Sequence, residues 1–172
     1  GDAMGELGHL EEHIPESQLR AAVRHIAAAD RIHVLAQRRA FPVAAYLAYA
    51  LGQLELRTHL LDGAGGMLQD TLRAVDRRDV LVVASFRNYS AEVVEAAIAC
   101  ADRGVPVVAI TDGPLSPLAA PARVCLQIGD DSTKAFRSLV APLCVAQALV
   151  VSTGHLLAEK LAAAKATRKA RS

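Results

Sequence analysis

The chain has 172 residues and a net charge of +1, with 52% hydrophobic residues yet only 3% aromatics and no Trp. That apolar fraction excludes a disordered chain, the length excludes several full domains, and the near-neutral charge excludes a globally basic nucleic-acid binder. A core of Ala, Val, Leu and Ile with so few rings fits a parallel sheet under Ala-rich helices better than a sandwich or barrel.

Residues 1–15, opening Gly1-Asp2-Ala3-Met4 with no initiator Met, read as an expression remnant and leader, and they lack the pattern of a secretion signal. Within them His9-Leu10-Glu11-Glu12-His13 matches the HxxEH zinc motif. Zinc chemistry needs that motif on a buried helix facing a third ligand, so beside the terminus, with Pro15 close behind, it reads as a solvated leader. Pro15-Glu16-Ser17 opens an amphipathic helix to about Ala29, with Leu19, Val23, Ile26 and Ala27 on one face. A β-branched run, Arg31–Ala36, follows, then a helical pattern over 40–54 and a weak strand, Arg57–Leu61. A second helical pattern covers 66–75, and Val80–Ala84 is a continuous apolar run, the mark of a strand buried on both faces. A third helix, 90–103, stops at Gly104, placed as a C′ glycine. Val105–Ile110 is another buried strand and Val124–Ile128 an edge strand. A long, mostly apolar helical pattern from about Ala135 to Ala166, expected to bend near Pro142 and Gly154, completes one domain over 16–166. A helix apolar around most of its circumference calls for cover on several sides, and a partner subunit is the expected cover.

The tail, 167–172, is basic: with Lys165 it puts four positive charges and no acid in the last eight residues, leaving 15 basic against 18 acidic residues elsewhere. It reads as a solvated end. Cys100, Cys125 and Cys144 are odd in number, widely spaced and with no CxxC pair, so they read as buried free thiols in a reducing compartment. The longest apolar run, Leu139–Val151, falls short of the roughly 20 residues of a bilayer span. A cytoplasmic location is expected.

Strands alternating with helices of this length predict right-handed crossovers and an α/β fold, a doubly wound five-stranded parallel sheet of order 2-1-3-4-5 flanked by helices. Ligands of such sheets bind beyond the carboxyl ends of the strands, where the first and third strands lie side by side. Two loops converge there: Ala36-Gln37-Arg38-Arg39-Ala40-Phe41 and Ser85-Phe86-Arg87-Asn88-Tyr89-Ser90. Both lead at once into a helix, whose first N–H groups favour an anion. Arg38, Arg39 and Arg87 add charge-assisted donors, and Ser85 and Ser90 add hydroxyls. Half of the chain's six aromatics, Phe41, Phe86 and Tyr89, also fall in these loops. The candidate ligand residues are thus Gln37, Arg38, Arg39, Ser85, Arg87, Asn88, Tyr89 and Ser90. The structural alternative makes the arginines solvated loop charges and Ser90 a helix cap. Neither GxGxxG nor GxxxxGK[ST] occurs, so dinucleotides and nucleoside triphosphates are poorly supported and no cofactor is expected.

Ser85-Phe86-Arg87-Asn88-Tyr89-Ser90-Ala91-Glu92 resembles the SxSGxTxE segment of sugar isomerase (SIS) domains, and Ile110-Thr111-Asp112-Gly113-Pro114-Leu115-Ser116-Pro117-Leu118-Ala119 resembles the ITD-x-x-x-SPLA stretch of RpiR-type transcriptional regulators. The resemblance spans about 17–160 and implies the same five-stranded sheet, pairing as a dimer, and a phosphosugar ligand. In such regulators a separate N-terminal helix-turn-helix domain reads DNA, so DNA contact is expected only through a domain that these residues do not contain. The chain departs from the family pattern at Ala36 and Ala40, where glycine and a phosphate-binding serine are usual, and at Arg87 and Asn88 in place of serine and glycine. The arginines can replace the lost hydroxyls, because a guanidinium grips phosphate bidentately.

An isomerase would need a general base and a ring-opening acid. Glu92 lies in a first helical turn, where it also stabilises the dipole; His33 reads as a core histidine inside the first strand, His59 lies on an edge strand, and His155 lies far along the last helix. Asp112 reads as a turn former before Gly113-Pro114 that could also touch the site. No base–acid pair emerges. The expectation is a phosphosugar or sugar-acid sensing domain, homodimeric and without catalysis; the alternatives are a stand-alone sugar-phosphate isomerase and a ligand-free dimerisation module.

Overall fold

The computed structural model describes residues 14–129 and 138–172, so the HxxEH stretch and the leader to residue 13 lie outside the described residues. Helix α1 (Glu16–Ala28) leads into β1 (Ile32–Ala36), followed by a 3₁₀ turn (Arg38–Ala40) and α2 (Phe41–Gln53). Next come β2 (Thr58–Leu60), α3 (Leu68–Arg73), β3 (Val80–Ala84) and α4 (Ala91–Asp102). Strands β4 (Val107–Thr111) and β5 (Val124–Gln127) precede a long α5 (Val140–Ala170). All strand pairs are parallel, as the alternation of elements predicts, and the order is the expected β2-β1-β3-β4-β5.

The sheet is buried on both faces, which is why β1, β3 and β4 are continuous apolar runs rather than alternating ones. Val34, Ala36, Val82, Ala84, Val108 and Ile110 face a core shared with α1, α2 and α5. Leu35, Leu81, Val83, Val107 and Ala109 face the opposite core, closed by α3 and α4 through Leu68, Leu72, Val93 and Ala97. Aliphatic side chains line most of both layers, with the Phe86 ring buried in the first core and Tyr46 packed against it, so helices and sheet meet through few rings, in keeping with the aromatic scarcity. Helix α4 ends as its sequence predicts. Gly104 takes φ +81°, its N–H donates to Ala101 O at 3.0 Å, and the Val105 N–H donates to Cys100 O at 3.0 Å.

Three local expectations change. Strand β4 begins at Val107, two residues later than the apolar run, with the Pro106 carbonyl accepting from Leu81 N–H at 3.0 Å. Helix α5 begins at Val140 and runs without a break. Pro142 falls in its first turn, where a missing N–H costs no helical bond, and a Cβ on Gly154 would lie 3.4 Å from Leu54, so the glycine lets the end of α2 pack close. The basic tail is not a separate segment either. The helix continues to Ala170, with Arg168 and Lys169 in its last turn, where positive charge complements the carbonyl end.

Helix α5 is long enough, and over an 18-residue window apolar enough, to cross a bilayer. Yet its first half lies in the domain's own core, where Val145, Ala146 and Leu149 pack with Ile26 of α1 and Leu47 and Leu51 of α2. From Ala158 onward every residue is exposed. Cys100, Cys125 and Cys144 are free thiols, but the burial expected of all three holds for Cys100 alone: Cys125 lies on the edge strand β5 and Cys144 near the start of α5, and both are half-buried.

Candidate functional site

Ala36 and Ala84, the last residues of β1 and β3, are register partners at the carboxyl edge of the sheet. From there the chain departs to opposite faces, because α2 packs in one core and α4 in the other. The divergence opens the crevice that this topology reserves for ligands.

Gln37 leaves β1 in extended backbone, and Arg38 enters the 3₁₀ turn at φ +54°, the left-handed region that a side chain rarely adopts. That turn exposes Arg38 and sets the Arg39 guanidinium over the Phe86 ring, 5.3 Å from its centroid. Phe86 is buried and anchors its loop, whereas Phe41 stands exposed at the start of α2.

The second loop folds back on itself. The buried Ser85 hydroxyl accepts the Ser90 N–H at 3.1 Å, closing the loop just ahead of α4. Ser90 occupies the N-cap position but its side chain makes no cap bond to the helix. Its Oγ donates instead to Gln37 Oε1 at 2.5 Å, and Gln37 Nε2 donates to Glu92 Oε2 at 3.0 Å. One glutamine thus joins the two loops. Arg87 and Asn88 are exposed at the loop tip, with Tyr89 half-buried beneath them.

Asp112 does more than shape its own turn. Its Oδ1 accepts from Gly113 N–H at 3.0 Å and Tyr89 OH at 2.6 Å, and its Oδ2 accepts from Arg87 N–H at 3.0 Å. Burial pushes the Tyr89 phenol above its ordinary value, and the bond to Asp112 pushes it further, so Tyr89 stays a neutral donor. Thr111 donates to the Ser85 carbonyl at 2.7 Å, its hydroxyl is bonded to Ser116 Oγ at 2.7 Å, and Ser116 Oγ accepts Leu118 N–H at 3.2 Å. The ITD…SPLA run is therefore a brace, with Thr111, Asp112 and Ser116 holding the end of β4 against the loop that follows β3. Sequence reasoning named Asp112 only as a turn former that could touch the site, and it missed Thr111 and Ser116 as supports. The one signal for them was their place in that run.

The structure brings Gln37, Ser85, Tyr89 and Ser90 into one hydrogen-bonded assembly and puts Arg38, Arg39, Arg87 and Asn88 on the same two loops. His33 lies outside it. Buried on β1, it contacts Asp79, just ahead of β3, through Nε2 at 3.1 Å, and its buried Nδ1 has no hydrogen-bond partner. Burial pulls its pKa down and Asp79 opposes this only in part. The core histidine read from sequence is thus only half satisfied. Among the described residues no cluster of His, Cys, Asp and Glu could hold a metal.

The sequence matches the SIS domain family over residues 25–152. No curated protein matches it. Among solved structures it is similar to the sugar isomerase domain of an RpiR transcription factor from Sphaerobacter thermophilus, with 27% identity and TM-score 0.86, covering 98% of this chain and 94% of that one. It also superposes on Vibrio vulnificus NanR in complex with ManNAc-6P, with 23% identity and TM-score 0.81, covering 98% of this chain but spanning 65% of NanR, less than two thirds. Phosphoheptose isomerase GmhA from Neisseria gonorrhoeae shares the fold at 20% identity and TM-score 0.73, with 88% of this chain and 92% of that one covered. The doubly wound sheet, the two loops at its switch point and this match over most of the chain lead to one conclusion: the protein belongs to the SIS domain family.

Proposed function

We propose that this chain is the effector-binding domain of an RpiR-type regulator in the cytoplasm, sensing a sugar phosphate or a related sugar acid at the crevice between β1 and β3. The observation that carries this reading is the joining of the two strand-end loops by Gln37 and Ser90 at the head of α4. Three arginines on those loops supply the charge, and Ser85, Ser90, Asn88 and Tyr89 supply polar contacts to the anion. Likeness to an RpiR sugar isomerase domain and to NanR with its bound ManNAc-6P supports the regulator side. In this reading residues 16–166 form the sensing domain, homodimers pair through α5, and DNA is contacted by a helix-turn-helix domain that is not among these residues. Bound anion biases the dimer only by favouring one arrangement over another.

A thermal-shift screen over sugar phosphates and sugar acids tests this. A ligand at about 100 times Kd adds roughly 2.7 kcal/mol of stability, and Arg87→Ala removes the gain. If no anion raises the melting temperature, the sensing role fails and a dimerisation module remains. An isomerase is the second reading, favoured by similarity to GmhA and to Methanococcus jannaschii MJ1247, whose structure was taken to infer 3-hexulose-6-phosphate isomerase activity. Interconversion of hexose or pentose phosphates followed by NMR would establish it, and unchanged spectra alongside binding would remove it.

A further inference from the structure

Gln37 sits half-buried between two partners that hold its amide from both ends. Glu92 accepts from Nε2 at 3.0 Å, and Oε1 accepts from Ser90 Oγ at 2.5 Å. An ionised carboxylate can only accept, so Glu92 dictates which end of the amide faces it and leaves the carbonyl oxygen for Ser90. The Ser90 hydroxyl proton is thereby committed to an oxygen of the protein. It is the same proton that a phosphate or carboxylate oxygen would take at the head of α4. The chain of three groups also ties the loop after β1 to the first turn of α4, across the crevice.

Building on the anion-binding reading of this crevice, we propose that Gln37 is an internal competitor that sets its specificity. Gln37 Oε1 takes the position on Ser90 that a ligand oxygen would need, and Glu92 holds it there. A ligand enters by displacing it. A neutral sugar hydroxyl offers Ser90 a bond no better than the amide it replaces, so it gains nothing. An ionised phosphate or carboxylate oxygen offers a charge-assisted bond about twice as strong, and the displacement becomes favourable. The latch therefore admits anions and rejects neutral polyols.

The experiment is calorimetric titration of orthophosphate and of glucose into the wild type, Gln37→Ala, Gln37→Asn, Glu92→Gln and Arg87→Ala, with folding checked by circular dichroism. Gln37→Ala is expected to bind orthophosphate about fivefold tighter, the equivalent of one neutral hydrogen bond. Gln37→Asn, one methylene too short to bridge Ser90 and Glu92, should behave likewise. Glu92→Gln should also tighten binding, by a factor that shrinks with added salt because a charge is removed, whereas the Gln37→Ala gain persists. Glucose should bind detectably only once the latch is cut. Equal phosphate binding by both Gln37 variants would overturn the competitor role, and weaker binding would overturn it and make Gln37 a direct ligand contact, while the anion reading stands in either case. Failure of the wild type to bind phosphate, or full binding by Arg87→Ala, would overturn the anion reading and the latch together.

Discussion

Replacing Asp112 by alanine strips three donors of one carboxylate: Arg87 N–H, Gly113 N–H and Tyr89 OH. Hydrogen bonds to a charged group contribute about 1.5–3 kcal/mol each, so three would sum to roughly 4.5–9 kcal/mol. Part of this is recovered, because Arg87 is exposed and Gly113 half-buried, and water can reach both N–H groups. A net loss of about 3 kcal/mol is expected for Asp112→Ala, which in a domain of this size lowers Tm by roughly 6–12 °C. Asp112→Asn should cost less, since Oδ1 still serves Tyr89 and Gly113 while the new NH₂ group opposes the Arg87 N–H. The chain has no Trp, so urea unfolding is best followed by far-UV circular dichroism. A double-mutant cycle with Tyr89→Phe should give a coupling of about 1 kcal/mol or more, as expected for groups in direct contact. A cost below about 0.5 kcal/mol for Asp112→Ala, or additive effects in the cycle, would refute the assignment of Asp112 as the loop's organiser.

Arg38→Gly should stabilise the fold by about 0.5–1 kcal/mol. It relieves a left-handed residue that costs roughly 1–2 kcal/mol, offset by the greater unfolded-state freedom of glycine, and a fall in Tm would contradict the strain at φ +54°. The same variant should weaken anion binding, so stability and affinity move in opposite directions. His33, its pKa lowered chiefly by burial, contributes stability that is fully present above its unfolded value near 6.5 and is lost as pH falls through the depressed folded value. Its ring proton resonances should titrate below the ordinary imidazole range, and a midpoint at or above 6.5 would sink this account. Cys100 is buried and its thiol is pushed up by burial, so iodoacetamide should label it only under unfolding conditions, and rapid labelling of the native protein would contradict its placement.

Much of the fold was legible because burial on both faces leaves a mark in the chain itself. Val80–Ala84 can be continuously apolar only where no face meets water, and its neighbours alternate with helices of crossover length. Gly104 announced the end of α4 because only glycine readily takes φ +81° there. The last helix was misread at Pro142 and Gly154. A proline in the first turn and a glycine under the end of a neighbouring helix break nothing, yet neither circumstance is visible without the start of the helix and its packing partner. At the site, the loops and their location were legible, while the assembly was not. Ser90 looked like a cap or a ligand contact; it makes no side-chain cap bond and its hydroxyl donates to Gln37, while Asp112 looked like a turn former and also holds Arg87 and Tyr89.

The sequence alone determined the class of sheet, the order of its strands, its aliphatic core and the two loops that meet at its switch point. The class, the core and the loops follow from local periodicity, chain length between elements and the handedness of crossovers, all properties of neighbouring residues, whereas the strand order was read from a common pattern of doubly wound sheets. Only the tertiary structure decided who meets whom across the crevice. Gln37 reaches Ser90 and Glu92 across 53 and 55 positions, and Asp112 reaches Tyr89 and Arg87 across 23 and 25. Those contacts depend on the register of non-consecutive strands and on how far each loop folds back, and no period along the chain encodes either.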